Sequence, residues 1–127
     1  MKILTLVARI LLGVAFVFFG ANGFFHFMNG TPPPGPAAQF SEALSKTAYM
    51  QVVSAIEIVA GLLFLANRFV PLALVLLGPV IVNILLFHLC MAPSTIAPGI
   101  LVTVLWFIIF FSVRPAFAGI FQAKYPA

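Results

Sequence analysis

The chain has 127 residues, of which 64% are hydrophobic and 6% charged. Soluble domains carry about a quarter charged residues, so six basic and two acidic side chains could not cover a water-facing surface. The formal net charge is +4, but Lys2, Arg9, Lys46, Arg68, Arg114 and Lys124 stand singly along the chain. That scatter excludes a patch able to track a phosphate backbone and hence nucleic acid as a partner. A lipid bilayer is the solvent that suits this composition, and the length allows a single domain spanning residues 1–127.

In chain order, the first apolar segment is Ile3–Phe25, broken only by Arg9 and Asn22. Lys2 before an apolar run resembles a signal peptide. The run exceeds the usual h-region of about 7–15 residues, so it is expected to be a retained helix. A long connection follows. It opens with the stiff stretch Gly30-Thr-Pro-Pro-Pro-Gly-Pro36, which is not helical. Over Ala37–Ala48, Phe40, Leu44 and Ala48 recur at helical spacing, with Gln39, Glu42 and Lys46 elsewhere. Two readings fit: a short amphipathic helix at the membrane surface, or an extension of the next span. The second segment is Tyr49–Ala66, the third Phe69–Cys90 and the fourth Ile96–Val113. A spanning helix needs roughly 20 apolar residues, which places the second and fourth near the short limit. Backbone groups in lipid must pair internally, and these runs lack strand alternation, so helices are the only option. Asn67-Arg68 and Met91–Thr95 are short connections, with Pro71 and Pro98 near the starts of the helices that follow. The expected fold is all-α: an antiparallel, up-down four-helix membrane bundle.

Information about function lies in the few polar residues that lipid should exclude. Counted at about 1.5 Å per residue from the side of the chain ends, Arg9 lies roughly 8 Å deep, Glu57 roughly 15 Å, Asn83 about 20 Å, and Asn22 and His88 about 27 Å. His26 falls at the far surface. Glu57 stands alone near the midplane, where an unpaired ionised carboxylate is very costly, so it needs a proton or a cation. Arg9 is the nearest cation by depth, and Gly13, Gly20 and Gly61 would let the first two spans approach closely. One reading is therefore a structural Arg9–Glu57 pair. The other is a ligand or proton site. Pro79, after Gly78, kinks the third span and could turn Asn83 toward Glu57. Asn22, Glu57, Asn83 and His88 could together line a polar crevice open to the far side. Histidine titrates near neutrality, which suits contact with a proton or a quinone headgroup. Two histidines without a third good ligand do not make a metal site. The phenylalanines read as packing or lipid-facing residues, Trp106 has no evident role, and the lone Cys90 reads as inert.

Several of these segments resemble the DoxX-like family of four-helix membrane proteins. Ala8-Arg-Ile-Leu-Leu-Gly-Val-Ala-Phe-Val-Phe-Phe-Gly20 is similar to that family's Arg-x-x-x-Gly…Phe…Gly opening, and Ile56-Glu-Ile-Val-Ala-Gly61 to its Glu-x-x-x-Gly motif. Asn67–Leu74 followed by Val82-Asn-Ile-Leu-Leu-Phe-His88 is the most specific match. A polar residue, often lysine, follows the first glycine motif in the family. This chain has Asn22-Gly-Phe-Phe-His26 there, which leaves a lysine-dependent role without its residue. The resemblance implies a bacterial inner-membrane protein linked to quinone-reducing redox complexes, with a soluble or membrane oxidoreductase as partner and quinone as the cofactor to look for. It leaves open whether the chain is an enzyme. Two other readings stand beside it: a structural or partner-binding membrane protein, and a small proton-coupled transporter.

Orientation follows from counting. Lys2, Arg9, Arg68, Arg114 and Lys124 gather on one side, against Lys46 and Glu42 on the other, so both termini are expected in the cytoplasm. In a Cys90→Ser background, a cysteine at Ser45 should react with an impermeant thiol reagent added outside cells. One at Gln122 should react only after lysis. The reverse pattern would overturn the orientation.

Overall fold

The computed structural model describes residues 2–28 and 30–126. Among them the structure is all-helical, with five α-helices: α1 Lys2–Phe25, α2 Pro36–Ser45, α3 Tyr49–Ala66, α4 Val70–Met91 and α5 Ala97–Val113. Four of the helices are long and apolar enough to cross a membrane. The expected spans agree with them to within a residue at each end. The 17 residues of α5 are few for a bilayer, but a 3₁₀ segment, Arg114–Phe121, continues it directly, and the combined span is 25 residues.

Local chemistry explains where the helices stop. After α3, Asn67 takes the left-handed conformation at φ 54°. Its N–H donates to the Phe64 carbonyl at 3.2 Å, and the Arg68 N–H to the Leu63 carbonyl at 3.1 Å. These two bonds form the Schellman pattern, and Asn is the residue other than Gly that tolerates this backbone best. His26, also left-handed, ends α1 with its N–H on the Asn22 carbonyl at 2.8 Å. Pro71 and Pro98 lie in first turns, where a missing N–H costs nothing.

The long first connection resolves the choice left open by the sequence. A turn at Lys46–Ala48 separates α2 from α3, so α2 is a helix of its own. Gly35 makes its entry at φ 99°, a conformation for glycine, and Pro36 begins the helix. Ala37 is buried, and Phe40 meets Phe87 of α4 with ring centroids 5.6 Å apart. The helix is thus seated on the ends of α3 and α4 rather than detached from them.

The four spans form a ring in which α1 packs on α3, α3 on α4, α4 on α5 and α5 on α1. The α1–α3 seam is the closest. A Cβ on Gly13 would lie 3.0 Å from the Gly61 carbonyl oxygen, and one on Gly61 2.8 Å from that of Gly13. A Cβ on Gly20 would lie 2.7 Å from the Ser54 carbonyl oxygen. The core occupies the half of the bundle nearer the chain ends, where Leu12, Phe16, Phe64, Leu74, Leu77 and Ile109 are fully buried. Outward-facing residues such as Leu11, Val14, Leu62, Val75, Leu86 and Leu101 are half exposed. So continuous an apolar belt belongs in lipid.

The seam yields a test. Gly20→Ala forces a methyl group against backbone, and overpacking costs about 1–3 kcal/mol. Gly78→Ala meets nothing within 4 Å. Thermal unfolding in detergent should therefore show a clear loss for Gly20→Ala and a near-native midpoint for Gly78→Ala. Equal midpoints would mean that α1 and α3 are not in backbone contact.

Candidate functional site

In the half of the bundle next to α2, close packing gives way to space. A cavity of about 580 Å³ lies among α1, α3 and α4 with α2 over it, and Asn22, Glu57, Asn83 and His88 all line it. A second cavity of about 250 Å³ continues toward α5, bounded by Phe19, Pro98, Gly99 and Val102. Glu57 and His88 border both.

Each polar residue reaches this space by a traceable route. Glu57 sits one turn from Ser54 and one from Gly61, the residues on which α1 rests. It is only 4% exposed. Asn22 lies two residues beyond Gly20, and its Oδ1 accepts the Met28 N–H at 2.7 Å, which fixes the chain leaving α1. Its amide nitrogen has no such bond among the described residues. Asn83 turns back on its own helix, donating from Nδ2 to the Pro79 carbonyl at 2.8 Å. His88 does likewise: Nδ1 is 2.8 Å from the Ile84 carbonyl. A carbonyl can only accept, so Nδ1 carries the proton and Nε2 is left for another partner.

The proposed Arg9–Glu57 pair is corrected by this geometry. Among the described residues the only salt bridge is Lys46–Glu42, at 2.5 Å. The Arg9 guanidinium donates instead to the Phe64 carbonyl and, at 3.4 Å, to the Leu65 carbonyl. The physical reason is the end of α3. Its last carbonyls lack intrahelical donors and carry the negative pole of the helix, two turns from Glu57 and closer to the Arg9 level. A long cationic side chain reaches that pole without entering the midplane. Asn83 does not bond Glu57 either: one of its amide hydrogens goes to the Pro79 carbonyl, and the other is left free among the described residues.

Glu57 therefore has no hydrogen bond or ion pair with any described residue. It borders both cavities, and a carboxyl so buried needs a proton, a cation or water.

Sequence reasoning missed the contribution of the α2–α3 corner. Ser41, Ser45, Thr47, Tyr49 and Gln51 also line the larger cavity. The apolar spacing of Phe40 and Leu44 was a usable signal. One of the two readings put that face on the membrane surface and the other in an extension of the next span; both residues line the cavity. Trp106 also acquires a role: its Nε1–H donates to the Leu74 carbonyl at 3.0 Å, beside Val75, whose carbonyl loses its usual donor at Pro79. Its ring stacks on Phe110 with centroids 5.3 Å apart.

The arrangement defines a class: a multi-pass membrane protein whose bundle is sealed at one end and hollow, with polar walls, at the other. The model of the DoxX family matches residues 4–89, a stretch that contains Arg9, Asn22, Glu57, Asn83 and His88. The chain belongs to the DoxX family. No curated protein and no solved structure matches it.

Because Arg9 and Glu57 are bound to different surroundings, their substitutions should act independently. Arg9→Ala strips the end of α3 of a charged donor, and hydrogen bonds to charged groups contribute about 1.5–3 kcal/mol. Glu57→Ala breaks no pair and should change the midpoint far less than the roughly 3–5 kcal/mol expected for splitting a buried ion pair. In a double-mutant cycle read by thermal unfolding, the two effects should add to within about 0.5 kcal/mol. Strong coupling would restore the Arg9–Glu57 pair.

Proposed function

We propose that this DoxX protein is a membrane component of quinone-linked redox metabolism, and that the larger cavity holds the quinone headgroup. The observation that carries the reading is Glu57: a carboxyl 4% exposed, without a protein partner, at the wall of a cavity that also presents Asn22, Asn83 and His88. A volume of about 580 Å³ falls in the range of small-molecule sites, which combine apolar walls with a few placed polar groups. Quinone carbonyls accept hydrogen bonds, and the free amide hydrogens of Asn22 and Asn83 can donate them. Reduction of a quinone takes up two protons with two electrons. Glu57 and His88 are positioned to relay protons, and a partner oxidoreductase supplies the electrons. The isoprenoid tail needs only lipid, which lies on the other side of every helix. On this reading the protein sits in the inner membrane with both termini in the cytoplasm, and the cavity faces the external side.

The test is a thermal-shift assay in mild detergent. A water-soluble quinone analogue should raise the unfolding midpoint of the wild type in a saturable manner by mass action. Asn83→Leu and His88→Leu should lose the shift while unfolding cooperatively without ligand. Glu57→Gln, which still offers a hydrogen bond, should keep most of it. An unchanged wild-type midpoint at saturating concentrations of benzo- and naphthoquinone analogues would exclude the site and leave a structural or partner-binding role.

A further inference from the structure

Glu57 has a property that a neutral quinone does not use, namely its charge. The described cations are all committed or remote. Arg9 is held by the carbonyls that end α3, and Lys46 by Glu42. Lys2, Arg68, Arg114 and Lys124 lie at the opposite end of the bundle from the cavities. The carboxyl nonetheless borders both cavities. The walls around it are rich in aromatic faces. Phe19, Phe40, Tyr49 and Phe87 line the larger cavity together with His88. Phe40 and Phe87 form one continuous surface with centroids 5.6 Å apart, and His88 sets its ring edge-on to Phe87 at 5.1 Å.

A carboxylate in an aromatic-walled, partly dry cavity is the arrangement that recognises an organic cation. Ring faces attract positive charge through their quadrupoles, most strongly where water is excluded, and bulky ammonium-type ligands are bound in this way. The single carboxylate supplies the counter-charge that lets the cation leave water. We infer that this cavity binds a second ligand class, lipophilic organic cations such as quaternary ammonium or phosphonium compounds, with Glu57 as counter-ion and Phe40 and Phe87 as aromatic walls. One cation pairs with one carboxylate, so the complex adds no net charge to the interior of the membrane. A phosphate-type anion is excluded by the same carboxylate. The inference shares the cavity with the quinone reading and does not rest on it, since a quinone is held by hydrogen bonds and a cation by charge.

The experiment measures binding of radiolabelled tetraphenylphosphonium to the full chain in dodecyl maltoside by equilibrium dialysis. Tetraphenylborate, of the same shape and opposite charge, serves as the control for simple partition into the micelle. The wild type should bind the phosphonium saturably at one per chain and show no saturable borate binding. Glu57→Gln should weaken phosphonium binding at least tenfold while still unfolding cooperatively in detergent. Phe40→Leu and Phe87→Leu should each weaken it by about 2–30-fold, the range of cation–π contacts. Equal binding of the two ions, or wild-type affinity in Glu57→Gln, overturns the inference without touching the quinone reading. If Glu57→Gln fails to fold, full affinity in both phenylalanine variants overturns it instead.

Discussion

Backbone meets backbone where α1 crosses α3, and much else in the molecule follows from that contact. In lipid there is no hydrophobic force to press helices together. Association depends on dispersion and on how closely the backbones can come. Gly13, Gly20 and Gly61 remove the side chains that would hold α1 and α3 apart. Ser54 then fills the space over Gly23, where no methyl group would fit. This register fixes the rotation of α3. Glu57 lies between Ser54 and Gly61 in sequence, so the face that carries them also carries the carboxyl to the interior, against Phe19 and beneath Asn22. The seam that stabilises the bundle is thus the device that buries its one acidic residue in a span.

Four other polar side chains of the spans show a consistent economy. Arg9 turns to the end of α3, Trp106 to Leu74, Asn83 to Pro79 and His88 to Ile84. Each meets a backbone carbonyl, the acceptor that is always available in a helix bundle. Such bonds satisfy donors. A carboxyl group, whose need when ionised is for donors, gains nothing from carbonyls, and the helix N–H groups around it are already engaged. Glu57 is left over by that chemistry, and so, among the described residues, is the Ser54 hydroxyl one turn away, which is buried without a hydrogen-bond partner. An acidic residue at this depth costs about 2.5–3.5 kcal/mol on insertion scales, and no partner among the described residues offsets that cost.

Much of the fold was legible in the sequence because membrane helices announce themselves by length and apolarity alone. The spans, the antiparallel order and the close glycine seam all rest on local features: about 20 apolar residues, turns too short for anything but neighbouring helices, and glycines on facing helices. The polar cluster was legible by depth, since Asn22, Glu57, Asn83 and His88 can be ranked along the bilayer normal by counting residues. Rotation about each helix axis was not. A uniformly apolar helix has almost no amphipathic face from which to read it. Depth alone therefore made Arg9 the partner of Glu57, whereas the guanidinium goes to the end of α3. The same limit hid Trp106, whose indole N–H reaches the Leu74 carbonyl of α4. The role of α2 was hidden for another reason. Ten residues of weakly amphipathic helix can rest on lipid or on protein, and only the position of Phe87 on α4 decides that Phe40 finds protein.

The hollow half of the molecule follows from where the large side chains fall. Toward the chain ends, Leu12, Phe16, Phe64, Leu74, Leu77 and Ile109 converge and exclude space. Beyond Glu57, the inward positions pass to smaller or polar residues, with Gly20 and Gly23 on α1, Ser54 on α3 and Gly99 on α5. The small residues of α1 and α3 are consumed in the seam. Those elements close on each other, while Phe87 and His88 of α4 stand at the cavity wall without filling it. An open end would expose Glu57 to bulk water and weaken any electrostatic discrimination there, because interactions between charges fall with dielectric constant. Seating α2 across that end, through Ala37 and the Phe40–Phe87 contact, narrows the opening and leaves the carboxyl largely withdrawn from bulk water. There both a hydrogen-bonded headgroup and a paired cation gain more from each contact than they would at the surface. The identity of the ligand is then a question of which of the two, hydrogen bonding or charge, Glu57 is asked to supply.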